Sequence, residues 1–221
     1  MNMNSYSLSQ PDTGVKAPGQ SRSRRTVERL MAAVITLMSQ GGLEACSASA
    51  VAAESGTAVG TLYRHFADKD ALVAAALLDW VSLASAQSAD AFSELVSGAR
   101  DLDAFVLTLT RAAVAAATQG RRLILATRAF VGSYGDAQWR AAFQAAQGQG
   151  RRLVIEAAVA RFADDIPGGE TALRYMACAL YGAVDAAFLT PQLGIFDTPP
   201  EPDAFVIHLS SLLQAGLRGR T

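Results

Sequence analysis

Residues 47–66 read Ser47-Ala48-Ser49-Ala50-Val51-Ala52-Ala53-Glu54-Ser55-Gly56-Thr57-Ala58-Val59-Gly60-Thr61-Leu62-Tyr63-Arg64-His65-Phe66, and their spacing describes two short helices joined by a tight turn. Ser47 suits an N-cap, because its hydroxyl can accept from the unpaired amides of a first helical turn. Val51, four residues on, is the one bulky apolar anchor of the first helix. Gly56 can take the left-handed backbone that ends a helix. Thr57 is then placed to cap a second helix, in which Leu62 and Phe66 lie four apart and face inward together. The other positions of that helix, Ala58, Val59, Thr61, Tyr63 and His65, are small or hydrogen-bonding, with no acid among them. Two short helices meeting at a Gly-containing turn form a helix-turn-helix, whose second helix can enter a DNA major groove.

The run Gly60-Thr61-Leu62-Tyr63-Arg64-His65-Phe66, followed by Lys69 and an apolar helix, resembles the DNA-binding signature of TetR-family transcriptional regulators. The likeness extends over about residues 24 to 80, including the preceding helix and Gly41-Gly42; beyond that it covers length and helical character only. The resemblance implies phosphate contacts for Ser47, Tyr63, His65 and Lys69, and a groove-facing surface made by Ala58, Val59, Gly60 and Thr61; Thr57, just before them, is a further candidate for DNA contact. The chemistry fits, since hydroxyl, phenol, imidazole and ammonium all donate to phosphate oxygens, and Gly60 lets the backbone approach closely. Where the family often carries Ser and a basic or polar residue, this chain has Ala58 and Val59, which suit apolar contact with a thymine methyl.

Working outward, the chain has 221 residues, of which 51% are apolar, enough for a sizeable helical core. No sustained period-two alternation of β-branched residues occurs, so the expected fold class is all-α, with about nine helices. The formal net charge of -1 does not advertise a nucleic-acid partner. The local balance is more telling: from Arg22 to Phe66, Arg22, Arg24, Arg25, Arg29 and Arg64 stand against Glu28, Glu44 and Glu54. Cys46 and Cys178 are the only cysteines and fall in different expected domains, which points to reduced, buried thiols in a cytoplasmic protein. No uninterrupted apolar run reaches the roughly eighteen residues of a membrane span, and the N-terminus lacks a basic region followed by an apolar core.

Residues 1–20 are polar and Gly/Pro-containing, and are expected to form a disordered tail. The first helix is expected from about residues 21–23 to Gln40, with Val27, Leu30, Met31, Val34, Leu37 and Met38 as its inward stripe. Residues 21–67 then form the DNA-binding domain, and residues 68–221 an effector-binding and dimerisation domain. Asp68 caps a helix from Lys69 to about Ser88, followed by a short helical segment and loop over Asp90–Asp103. Further helices are expected at Leu102–Thr118, Arg121–Val131, Ala137–Ala163 with a bend near Gly148 and Gly150, Glu170–Thr190, and from Asp203 onward. The last two carry apolar residues on more than one face, the mark of a partner surface; a second copy of the chain is the expected partner, through a four-helix bundle. The resemblance implies the same homodimer.

Aromatic and sulfur side chains of the second domain, Phe105, Phe130, Tyr134, Trp139, Phe143, Tyr175, Met176 and Tyr181, with Phe188 beside them, are candidates for lining an effector cavity between helices, and Arg128 suits an anionic head group. Plain core packing competes for each. The two histidines, His65 and His208, lie far apart in sequence, so no metal site and no cofactor are expected. Asp164-Asp165 and the Asp101/Asp103 pair read as helix caps rather than acid–base catalysts, and Gly132-Ser133-Tyr134-Gly135 lacks the spacing and preceding strand of a nucleophile elbow. The expected function is a ligand-responsive transcriptional repressor released from a palindromic operator by a small molecule, and not an enzyme. The alternatives are a helical carrier or enzyme that keeps a helix-turn-helix as scaffold, and a DNA-binding dimer without any effector.

Overall fold

The computed structural model describes residues 18–190 and 195–219, and all the regular structure among them is helical. The α-helices are α1 (Pro18–Gly41), α2 (Ala48–Glu54), α3 (Val59–His65), α4 (Lys69–Gly98), α5 (Leu102–Gln119), α6 (Arg121–Ser133), α7 (Ala137–Phe162), α8 (Gly169–Val184) and α9 (Pro202–Leu217). A single π-helical turn, Asp185–Leu189, continues α8. The expected disordered tail lies outside the described residues up to position 17; residues 18–20 open α1, and Pro is at home in a first helical turn because its missing N–H has no partner to lose there.

Side-chain caps set most helix starts. Ser47 accepts from the Ala50 amide at 3.1 Å, Asp68 from Ala71 at 2.7 Å, Asp101 from Ala104 at 2.8 Å and Asp136 from Trp139 at 2.9 Å. The α3 start departs from expectation. Thr57 shares a 2.9 Å hydrogen bond with the Ser55 hydroxyl, and the capping position falls to the extended Ala58, which has no side chain to offer. Helix α4 runs ten residues past its expected end because nothing between Lys69 and Ser97 breaks it; Gly98 is the first glycine it meets. Helix α6 likewise runs past Val131 to Ser133, whose hydroxyl bonds back to the Ala129 carbonyl.

No break occurs at Gly148 and Gly150, and α7 is one continuous helix. Gly150 is buried where α7 crosses α4: a Cβ built there would lie 3.4 Å from the Ser85 backbone, and the Ser85 hydroxyl donates to the Ala146 carbonyl at 2.8 Å. The glycine is therefore kept for close approach rather than for bending.

Two hydrophobic cores result. One gathers Phe105, Val154, Phe162, Leu173, Leu180 and Leu213 of α5, α7, α8 and α9. The other is built on Leu30, Val34 and Met38 of α1, Val51 of α2, Leu62 of α3 and Leu72 and Leu77 of α4, and it continues into Leu123 and Phe130 of α6 and Trp139 and Phe143 of α7. The core of the first three helices thus does not stop at residue 67. Trp139 completes it by donating its indole N–H to the Ala74 carbonyl at 2.9 Å, and Arg122 donates to the Gln40 carbonyl at the end of α1.

The segment Gly169–Leu189 is long and apolar enough to cross a membrane by length and composition. It is not an uninterrupted apolar run, because Glu170, Arg174 and Asp185 punctuate it. In this fold its Leu173, Met176, Leu180 and Val184 are buried against neighbouring helices.

Candidate nucleic-acid interface

Helices α2 and α3 are joined by a turn in which Gly56 has φ +62°, the left-handed region that glycine enters without strain. The turn closes through Gly56 N–H to the Ala53 carbonyl at 3.1 Å and Thr57 N–H to the Ala52 carbonyl at 2.9 Å. Val51 and Leu62, both fully buried, anchor the two helices in the core they share with α1 and α4. Because Leu62 points inward, its neighbours on the opposite side of α3 must point out.

Ala58, Val59, Gly60, Tyr63 and Arg64 are exposed; Thr57, Thr61 and His65 are half-buried along the edges of that face. Val59 and Tyr63 are large apolar-bodied side chains held open to solvent, Tyr63 with 53% of its surface exposed. A Cβ added at Gly60 would meet nothing within 4 Å, so the backbone of α3 is open to an approaching partner. Ser47 is exposed at the start of α2, its hydroxyl 3.1 Å from that of Ser49. Lys69, at the start of α4, is half-buried and pairs with Asp70 at 2.8 Å. The candidates read from the sequence thus lie at the start of α2, along α3 and its preceding turn, and at the start of α4, each exposed or half-buried. Arg64 joins them, one turn after Gly60 and next to Tyr63, and makes no ion pair among the described residues. Its i, i+4 relation to Gly60 was the available signal. At the start of α1, Arg24 is drawn to Glu28 at 2.9 Å, while Arg22, Arg25 and Arg29 remain exposed.

Cys46 is buried beneath this unit, its thiol 3.7 Å from the Val34 carbonyl, and burial pushes its pKa up. Cys178 is exposed, contrary to the expectation that both thiols are buried.

The effector candidates separate into three groups. Phe105, Met176 and Tyr181 line a narrow cleft between α5, α7 and α8. Phe130, Tyr134, Trp139 and Phe143 instead form an aromatic stack at the α6–α7 elbow, with successive ring centroids 4.9 to 5.2 Å apart, inside the core shared with the first helices. Tyr175 is 74% exposed on α8, and Arg128 is bound to Asp185, which also accepts from the Thr190 hydroxyl at 2.7 Å. The Arg128 hydrogen bond holds the Asp185 carboxyl below its usual range. Phe188, named beside them, packs edge-to-face on Phe205.

Residues 30–76 match the family model described as bacterial regulatory proteins, tetR family. Solved structures extend the likeness, as one of fold, to most of the chain. A TetR-family transcriptional regulator from Mesorhizobium loti is 17% identical, with a TM-score of 0.60 over 91% of this chain and 98% of its own. NalD, the secondary repressor of the MexAB-OprM multidrug efflux pump in Pseudomonas aeruginosa, is 20% identical, with a TM-score of 0.58 over 91% and 100%. The regulator FadR from Bacillus subtilis, solved with stearoyl-CoA, is 14% identical, with a TM-score of 0.58 over 86% and 98%. No curated protein matches the chain in sequence. Residues 30–76 thus carry the signature of the tetR family of bacterial regulatory proteins, and the chain has the fold of the TetR-family regulators it resembles.

Proposed function

We propose that this chain is a homodimeric transcriptional repressor that holds a palindromic operator through α3 and lets it go when a small molecule enters the body formed by residues 68–221. The observation that carries the reading is the outer face of α3. It exposes Val59, Gly60, Tyr63 and Arg64 together, with no acid on the helix and backbone open at Gly60. Such a surface offers apolar contact to a thymine methyl, a close backbone approach, and hydroxyl and guanidinium donors for phosphates.

Dimerisation through α8 and α9 is favoured by the large apolar side chains they leave exposed: Tyr175 at 74%, Ile207 at 58% and Leu212 at 70%. A two-fold dimer would set two copies of α3 in successive major grooves about 34 to 36 Å apart. Release then requires a ligand that prefers a body conformation with another head spacing. Turning occupancy from 1:99 to 99:1 needs about 5.5 kcal/mol of differential affinity. Two neighbours support this reading by their own properties, NalD as a repressor and FadR as a regulator solved with stearoyl-CoA. The place of action is the cytoplasm, where the operator is.

The test is a gel shift with the DNA just upstream of the chain's own coding region, titrated with salt against unrelated DNA of equal length. A repressor binds the upstream fragment at least about a thousandfold more tightly, with affinity falling steeply as salt rises. Equal, weak binding to both fragments would mean a carrier that merely keeps the helix-turn-helix as scaffold.

A further inference from the structure

Helix α6 starts against local preference. Gly120 alone separates it from α5, no side chain caps it, and its first turn holds no acid. Instead Arg121 and Arg122 place two positive charges at the positive end of the helix dipole, which disfavours them there. Their bonds lie elsewhere. The Arg121 guanidinium donates to the Phe188 carbonyl at 3.0 Å, in the π-helical turn that continues α8. Arg122 donates to the Gln40 carbonyl, one of the last four of α1, which helix geometry leaves without an amide partner. Two adjacent residues thus each cap the C-terminal end of another helix, where a cation is favoured.

Arg128, seven residues beyond Arg121 and on the same face of α6, holds Asp185 of that same π-helical turn. Arg122 lies about 100° further round the helix than Arg121 and reaches α1 instead. Both anchor points are stiff. A Cβ at Gly120 would lie 2.8 Å from the Ala116 carbonyl oxygen of α5, and one at Gly41 only 2.7 Å from the Ala45 side chain. Leu123 and Phe130 of α6 share a core with Leu30 and Val34 of α1. Burial of apolar surface is non-directional; the bond from Arg122 adds the direction.

We propose that Arg121 and Arg122 are positioning residues for DNA binding, a two-residue splint through which the end of α8 sets the angle of the α1–α3 head, and with it the half-site spacing a dimer accepts. Arg121 and Arg128 reference α6 to α8, the helix proposed above for the dimer seam, and Arg122 passes that reference to α1. The spacing rests on the dimeric, operator-binding reading above. The pose of the head on the body does not.

The distance between two spin labels in one chain reads the pose. Glu54→Cys on α2 and Glu156→Cys on α7 are exposed attachment points, in a Cys178→Ser background where the remaining Cys46 is buried. Excess unlabelled protein removes distances between chains. With both arginines present, one narrow distribution is expected. Arg121→Met and Arg122→Met should each broaden it or move it by about 2 Å, the scale of helix shifts in switching proteins; Arg122→Lys, which keeps a donor, should restore it. Both arginines are exposed, so the thermal midpoint should hardly change. An unchanged distribution in the two Met variants would overturn the proposal. On DNA, gel shifts compare the upstream fragment with versions whose half-sites are moved apart by one or two base pairs. Arg122→Met should reduce the preference for the native spacing about tenfold, within the usual range of coupling between sites. Equal weakening at every spacing, the mark of a merely structural role, would overturn the proposal as well. If the unmodified protein binds no fragment specifically, the operator reading fails, and the label distances alone decide the splint.

Discussion

Gly60→Ala should move stability and DNA affinity in opposite directions. In the free protein the new methyl group meets nothing within 4 Å, and the backbone there is ordinary right-handed helix. Alanine loses less backbone entropy than glycine on entering a helix, a gain of about 0.5–1 kcal/mol. For a chain of this size that raises the thermal midpoint by roughly 1–4 °C. If α3 presses on DNA at Gly60, the same methyl fills space the duplex must occupy. A displacement costing about 1–3 kcal/mol, the usual scale for overpacking, lowers affinity by roughly five- to 150-fold. Differential scanning fluorimetry reads the first effect and gel shift on the upstream fragment the second. A variant with raised midpoint and unchanged affinity would show that Gly60 faces solvent in the complex, and the docking of α3 argued above would be wrong. Gly60→Gln, with a longer side chain at the same open position, should lose more affinity still.

Lys69→Gln should weaken binding to all DNA sequences alike and lower the slope of log K against log salt by about 1 for each lysine removed; an unchanged slope would leave Lys69 paired only with Asp70. Trp139→Phe removes the 2.9 Å bond to the Ala74 carbonyl and part of the aromatic stack, and should cost about 1–3 kcal/mol in urea unfolding; a loss below about 0.5 kcal/mol, the size of a neutral surface change, would mean that the elbow adds little to the first core. Leu212→Glu places a charge on a side chain 70% exposed on α9, and sedimentation should show monomers in place of dimers. Persistence of the dimer would move the interface away from α8 and α9.

Local chemistry was the legible part of the sequence. Ser47, Asp68 and Asp136 cap the helices they precede, because a cap depends on residues three apart. Gly56 turns as its lack of a Cβ allows, and Leu62 is buried as its spacing requires. Thr57 misled because two hydroxyls, its own and that of Ser55, competed for the same neighbourhood, and they chose each other. Gly150 misled for a different reason: a glycine that admits a neighbouring helix and one that bends its own look alike until the neighbour, here Ser85 of α4, is in view. The aromatic residues were harder still. Phe105 and Phe130 both lie on buried helix faces, yet one lines the cleft and the other the elbow stack. Only tertiary placement separates them, and only it sets Arg151 over Tyr181.

The elbow stack has a consequence for any attempt to transplant the reading head. The family signature ends at residue 76, but Phe130, Trp139 and Phe143, more than fifty residues later, fill the underside of the same core. A fragment cut at the end of the signature would carry α2 and α3 on a core whose apolar floor had been removed. Chimeras that exchange the first four helices between relatives should therefore fold well only when the indole at position 139 and its ring neighbours travel with them, so the natural unit of exchange is discontinuous in the chain.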